Sequence, residues 1–237
     1  MRMVRMLSRG LVTLGAVGAL LVMTVSVAAA FGPRVPQVPF NNAALQGYLN
    51  ANDGGINTLT DQVDGQVWTA SISGNATFTL MLELTGGAAN NNIGIYNTGG
   101  PAVPPLYQVF PGAAAAGWFA TAHFGGGNLV VTLFDNNSII QGQAFYAGVN
   151  ANAFGFYIQG AGGTFYSQDG RNPGSNAQML TYLGTGQNFG DWWECIEDTQ
   201  YAPGDKDFDD AVLLLQSVVP TPTDASTWGK LKSLYRK

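Results

Sequence analysis

Between Gln66 and Leu183 apolar and polar residues alternate with a period of two, and short Gly, Asn, Pro and Ser clusters interrupt the alternation. Val67, Thr69 and Ser71 alternate with Trp68, Ala70 and Ile72. After Ser73-Gly74-Asn75 comes Ala76 to Leu84, and after Gly86 to Asn91 comes Asn92 to Tyr96. A period of two places successive side chains on opposite faces, the geometry of a half-buried strand. The same pattern predicts strands at Leu106 to Phe110, Trp118 to Phe124, Leu129 to Phe134, Ser138 to Tyr146, Phe154 to Gln159, Thr164 to Tyr166 and Met179 to Leu183. Two more flank an acidic stretch near the end, giving roughly a dozen strands. No run in this interval supports a helix long enough for a crossover, so the sheets are expected to be antiparallel. The predicted fold is all-β, an antiparallel two-sheet β-sandwich of jelly-roll-like type with at most one short N-terminal helix. That helix is expected within Asn41 to Leu49, where Leu45, Tyr48 and Leu49 share a face behind an Asn cap, plugging one end of the sheets.

The aromatics Trp68, Phe78, Trp118, Phe119, Phe134, Phe145, Phe154, Phe156, Phe165, Trp192 and Phe208 suit the filling of such a sandwich. Trp192-Trp193 must put one ring on each face of its strand, which marks one of the two for exposure. Cys195 is the sole cysteine and reads as a small hydrophobe on a buried strand. The sole histidine, His123, lies far from it in sequence and argues against both a Cys/His nucleophile and zinc chemistry.

Arg2, Arg5 and Arg9 precede the apolar Leu11 to Val27 and the small residues Ala28-Ala29-Ala30, the pattern of a signal peptide cleaved after Ala30. Residues 1–30 are therefore expected to be removed, and the protein to be secreted or held at the cell surface with no transmembrane segment remaining. Cleavage takes three of the ten basic residues and none of the fifteen acidic ones, moving the formal net charge from −5 to −8. Such a surface argues against nucleic acid or anionic membrane as a partner. Extracellular polysaccharide or cell-surface components are the expected partners. Residues 31–40 contain Pro33, Pro36 and Pro39 and read as an extended leader, 41–219 as the β domain, and 220–237 as a short basic tail.

The chemistry-bearing stretch is Trp192-Trp193-Glu194-Cys195-Ile196-Glu197-Asp198, then Gly204-Asp205-Lys206-Asp207-Phe208-Asp209-Asp210, then Ala211 to Leu215. It reads as a strand, a turn at Ala202-Pro203-Gly204, an acidic loop and a second strand. Seven carboxylates face one opposing Lys206, so the loop must stay solvated, take up protons or share a cation. Asp205, Asp207 and Asp209 alternate, and in an extended loop they would converge, with Phe208 turned the other way into the core. Together with Glu197, Asp198 and Asp210 they form a candidate set for Ca²⁺, a hard cation that takes six to eight oxygens at ~2.4 Å. The loop is no EF-hand, because Asp210 and Gln216 stand where that motif needs Gly and a bidentate Glu. The same residues also fit a solvated acidic loop. A third use is a carboxylate hydrolase, with Glu194 or Glu197 paired with a loop Asp across a cleft.

Three motifs occur in order: Phe154-Gly155-Phe156-Tyr157, Gly162-Gly163-Thr164-Phe165-Tyr166-Ser167, and Glu197-Asp198 followed by Gly204-Asp205-Lys206-Asp207-Phe208-Asp209-Asp210. With Leu45-Gln46, Asp61-Gln62, Trp68 and Gly94-Ile95-Tyr96 they resemble a bacterial secreted family, a domain of unknown function often found ahead of a PEP-CTERM sorting tail. The resemblance spans Asn41 to Val219. It implies an extracellular module whose recurring acidic residues have prompted the suggestion of enzymatic activity. Val219-Pro220-Thr221-Pro222-Thr223 stands where the sorting motif V-P-E-P would be, and the amphipathic Lys230 to Lys237 replaces an apolar helix. These features favour a structural or adhesive module carrying a Ca²⁺ loop, with a carbohydrate-binding module or an acid/base hydrolase as alternatives.

Overall fold

Thirteen strands and one helix follow one another in a computed structural model that describes residues 32–83 and 90–221. The expected leader at 1–30 and nearly all of the basic tail lie outside the described residues. The helix is α1 (Ala43–Asn52), and the strands are β1 (Trp68–Ala70), β2 (Asn75–Glu83), β3 (Asn92–Asn97), β4 (Leu106–Phe110), β5 (Phe119–Gly125), β6 (Asn128–Phe134), β7 (Ile140–Ala147), β8 (Phe154–Gly160), β9 (Gly163–Tyr166), β10 (Met179–Leu183), β11 (Trp192–Ile196), β12 (Ala211–Gln216) and β13 (Val218–Pro220). Each of the predicted strands is present, and every pairing is antiparallel. The six-stranded sheet runs β13-β1-β8-β3-β4, with β9 also on β8; the seven-stranded sheet runs β10-β11-β12-β2-β5-β6-β7.

The main core lies between the sheets, because alternation turns one residue in two of each strand inward. Trp68, Phe154 and Phe156 of the six-stranded sheet meet Phe78, Phe124 and Trp192 of the other. Their rings are edge-on at 5.5 Å for Trp68 and Phe156, 6.0 Å for Trp68 and Trp192, and 5.4 Å for Phe78 and Phe156. Such pairs add about 0.5–1.5 kcal/mol each beyond the area they bury.

A second core lies on the outer face of the seven-stranded sheet. Leu45 and Leu49, four residues apart on α1, pack with Tyr182, Trp193, Cys195, Phe208 and Val212. The helix therefore covers a sheet face and does not plug an end. This also corrects the expectation that Trp192 or Trp193 is exposed: both are fully buried, one in each core. The indole N–H of Trp193 donates to Asp53 at the end of α1 at 2.7 Å, so burial costs it no unmade hydrogen bond.

The proline-rich leader is part of the fold as well. Pro33 bridges to Val63, and Arg34, 7% exposed, forms an ion pair with Asp169. At the other end, β13 pairs with β1 through Pro220, one residue into the expected tail. No helix among the described residues is long and apolar enough to cross a membrane.

Candidate metal centre

The carboxylates gather where β11 leaves the seven-stranded sheet and β12 returns to it. Pairing of Trp192 with Leu215 through Ile196 with Ala211 fixes the two strands side by side. Glu197, Asp198 and Asp210 must then lie at the mouth of the connecting loop. Gln178 fastens the first part of that loop. Its amide donates to the carbonyls of Glu197 at 3.2 Å and Thr199 at 2.5 Å, and its carbonyl accepts from the N–H of Tyr201 at 2.7 Å. The second part is held by Phe208, fully buried against Phe40 at 5.5 Å and Tyr201 at 6.3 Å, as its place between carboxylates predicted.

The loop is not extended. Lys206 and Phe208 have φ of 59° and 55°, the left-handed region that non-glycine residues seldom occupy. Two such turns break the period of two, so Asp205, Asp207 and Asp209 do not converge as a strand would make them. The group that does converge is Glu197, Asp207 and Asp210, with one carboxylate oxygen from each lying within 4.8 Å of the others. Oxygens bound to one Ca²⁺ at ~2.4 Å can be at most about 4.8 Å apart, so the three fit a single ion.

Glu197 is wholly buried; its Oε1 accepts from Thr199 Oγ1 at 2.5 Å, and the Phe208 backbone N–H also helps to hold its carboxylate. Asp207 Oδ1 is buried without a partner. A buried acceptor left unmade costs on the order of 1–3 kcal/mol, which a cation between the carboxylates would offset. Gly204 lets the loop close over the site, since a Cβ there would stand 2.6 Å from Thr199 Oγ1 and 2.9 Å from Glu197 Oε1.

The other predicted ligands surround this trio. Asp198 accepts from Asn91 Nδ2 at 2.8 Å and donates its backbone N–H to Asp210 Oδ2 at 2.7 Å. Asp205 adds repulsion toward Glu197, and the Asp209 carboxyl shares a hydrogen bond with Asp207, neither of them joining the group of three. Burial pushes Glu197 up to about 6, with Asp205 and Asp207 adding repulsion. Burial also pushes Asp210 up to about 8, with Asp198 and Glu197 contributing, and Asp209 up to about 6. Every shift opposes ionisation, as expected of crowded carboxylates that, among the described residues, are held in no ion pair.

Sequence reasoning missed Glu83. It ends β2, where pairing with Ala211 sets it next to the cluster, and burial and the charge of Asp198 push its carboxyl up to about 7. Nothing local marks it, because it lies over a hundred residues away in sequence; only the β2–β12 pairing brings it in.

Glu194 belongs elsewhere. Two residues from Trp192 on the same strand, it points between the sheets, is wholly buried, and accepts from Thr181 Oγ1 at 2.5 Å. A groove of about 460 Å³ at the opposite end of β2 is lined by Ser71, Asn128, Asn150 and Asn152 among others and carries no charged residue.

Comparison with family models, curated proteins and solved structures gives no match.

Proposed function

We propose that this chain is an extracellular structural module whose C-terminal acidic loop binds one Ca²⁺ ion through Glu197, Asp207 and Asp210, fixing the β11–β12 connection to the sandwich. The observation that carries this reading is the convergence of one carboxylate oxygen from each of Glu197, Asp207 and Asp210 within 4.8 Å in a part-buried loop. Ca²⁺ suits it better than Mg²⁺, because a loop with two left-handed residues supplies irregular oxygen positions where Mg²⁺ demands a near-octahedral shell at about 2.1 Å. The ion tethers a loop that is otherwise held by Phe208 and Gln178. Export through cleavage after Ala30, a place at the cell surface and membership of the secreted family resembled by the C-terminal motifs belong to the same reading. They rest on the leader sequence and on the motif order.

The test is thermal unfolding with and without Ca²⁺ at matched ionic strength. Binding to the native state alone adds RT ln(1 + [L]/Kd), about 2.7 kcal/mol when Ca²⁺ is in hundredfold excess over Kd. Asp207→Asn removes most of that gain. Equal stabilisation by matched NaCl, or a gain that survives the substitution, contradicts the site.

A further inference from the structure

Residues 32–41 have no helix or strand of their own, yet they lie against the domain at three places. At the first, Pro33 bridges to Val63, the Arg34 N–H donates to the Gln62 carbonyl at 2.9 Å, and the Arg34 guanidinium pairs with Asp169. At the second, the Gln62 side chain accepts from the Val38 N–H at 2.8 Å and donates to the Val38 carbonyl at 3.0 Å. The third is the acidic loop. The Pro39 carbonyl accepts from the Tyr201 hydroxyl at 2.6 Å, Phe40 meets the Phe208 ring edge-on at 5.5 Å, and the Asn41 N–H donates to the Lys206 carbonyl at 2.8 Å.

This grip falls on both neighbours of Asp207. Lys206 and Phe208 hold left-handed backbone, which non-glycine residues keep only where their surroundings over-determine it. Residues 39–41 supply part of that constraint, fixing Lys206 by its carbonyl and Phe208 by its ring. They thereby keep Asp207 beside Glu197 and Asp210. A loop freed of them can relax both turns, and carboxylates that repel one another then part.

We propose that residues 32–41 are a strap coupled to the cation: an ion held by Glu197, Asp207 and Asp210 locks the strap down, and the docked strap tightens the ion. The coupling rests on the ion site proposed above. It is reciprocal, so the factor by which the strap raises affinity is the factor by which the ion favours the docked strap. The sequence makes its two ends separately readable. Between Arg9 and Lys230 the only basic residues are Arg34, Arg171 and Lys206, which gives trypsin one target in the strap, one in the loop and one elsewhere. Arg34 is buried and ion-paired, so its bond to Val35 is cut only when the strap lifts. Arg171, bonded to the carbonyls of Thr98 and Pro101, reports unfolding of the domain as a whole.

The experiment is limited tryptic digestion with and without Ca²⁺ at matched ionic strength, each rate normalised to a small synthetic substrate, beside calorimetric titration of the ion. The expected result is that Ca²⁺ slows the Arg34–Val35 and Lys206–Asp207 cuts together, each at least about fivefold and by more than the Arg171 cut. Phe40→Ala should weaken Ca²⁺ at least about tenfold and speed the Arg34 cut. Tyr201→Phe, which loses only the hydroxyl bonded to Pro39, should do the same by roughly fivefold without threatening the fold. If Ca²⁺ binds and slows the Lys206 cut alone, the ion site stands and the coupling is overturned. An Arg34 cut that merely tracks the Arg171 cut overturns it too, because that is stabilisation of the whole domain. So does native affinity in both variants. Absence of binding in the titration removes the ion site and the coupling together.

Discussion

Glu194 should make this protein lose stability as pH rises. Its carboxyl sits between the sheets with Oε2 bonded to Thr181 and Oε1 buried without a partner. Burial pushes it up to about 8 from an ordinary 4.5, although the Thr181 bond and the Arg34 guanidinium oppose the shift. The native state thus keeps a proton that the unfolded chain releases. The stabilisation is complete below pH 4.5, where both states are protonated, and falls as pH rises toward 8. At about 1.4 kcal/mol for each pH unit of displacement, the loss by pH 8 is roughly 4–5 kcal/mol. Glu194→Gln keeps an acceptor for Thr181 and cannot ionise. It should therefore match the native protein near pH 5 and exceed it by several kcal/mol near pH 8. Urea unfolding of both chains in chelator, across about pH 5 to 9, gives the difference. The loop carboxylates titrate equally in the two and cancel. A gap between the chains that does not change with pH would refute the reasoning, because it would mean that Glu194 is ionised in the folded state.

Phe208→Ala should cost about 3–5 kcal/mol in denaturant unfolding, the range for a fully buried aromatic, and a cost under roughly 1 kcal/mol would mean that the loop is not anchored by it. Cys195 is wholly buried and its thiol is pushed well up, by burial first and then by Glu194 and Asp209. A thiol reagent should therefore label it only as fast as the protein unfolds, and rapid labelling under native conditions would contradict its place in the second core.

The strands and the antiparallel sheets were legible because a period of two and glycine-rich turns are local signals. So was burial of Leu45, Leu49 and Phe208. What covers a sheet face is a tertiary matter, and for that reason the expectation that one of Trp192 and Trp193 is exposed fails: the Trp193 ring points outward from the sandwich but lies under α1. The carboxylate cluster was legible as composition but not as geometry. Alternation of Asp205, Asp207 and Asp209 implies one face only if the backbone is extended, and the positive φ of Lys206 and Phe208 leaves no composition signal. Arg34 falls in the stretch that reads as an extended Pro-rich leader, and its pairing with Asp169, over a hundred residues on, has no local signal.

The most direct test of the Ca²⁺ site is calorimetric titration of the ion into the protein near pH 7 in buffers of different ionisation heat. Asp210, held up to about 8, is mostly protonated at that pH, and Glu197, held up to about 6, is mostly ionised. An ion binding Glu197, Asp207 and Asp210 must displace the Asp210 proton. The expected result is saturable binding of one ion per chain with release of about one proton, and loss of both in Asp207→Asn. Absence of saturable heat, or binding whose heat does not depend on the buffer, would contradict a Ca²⁺ site at these three carboxylates.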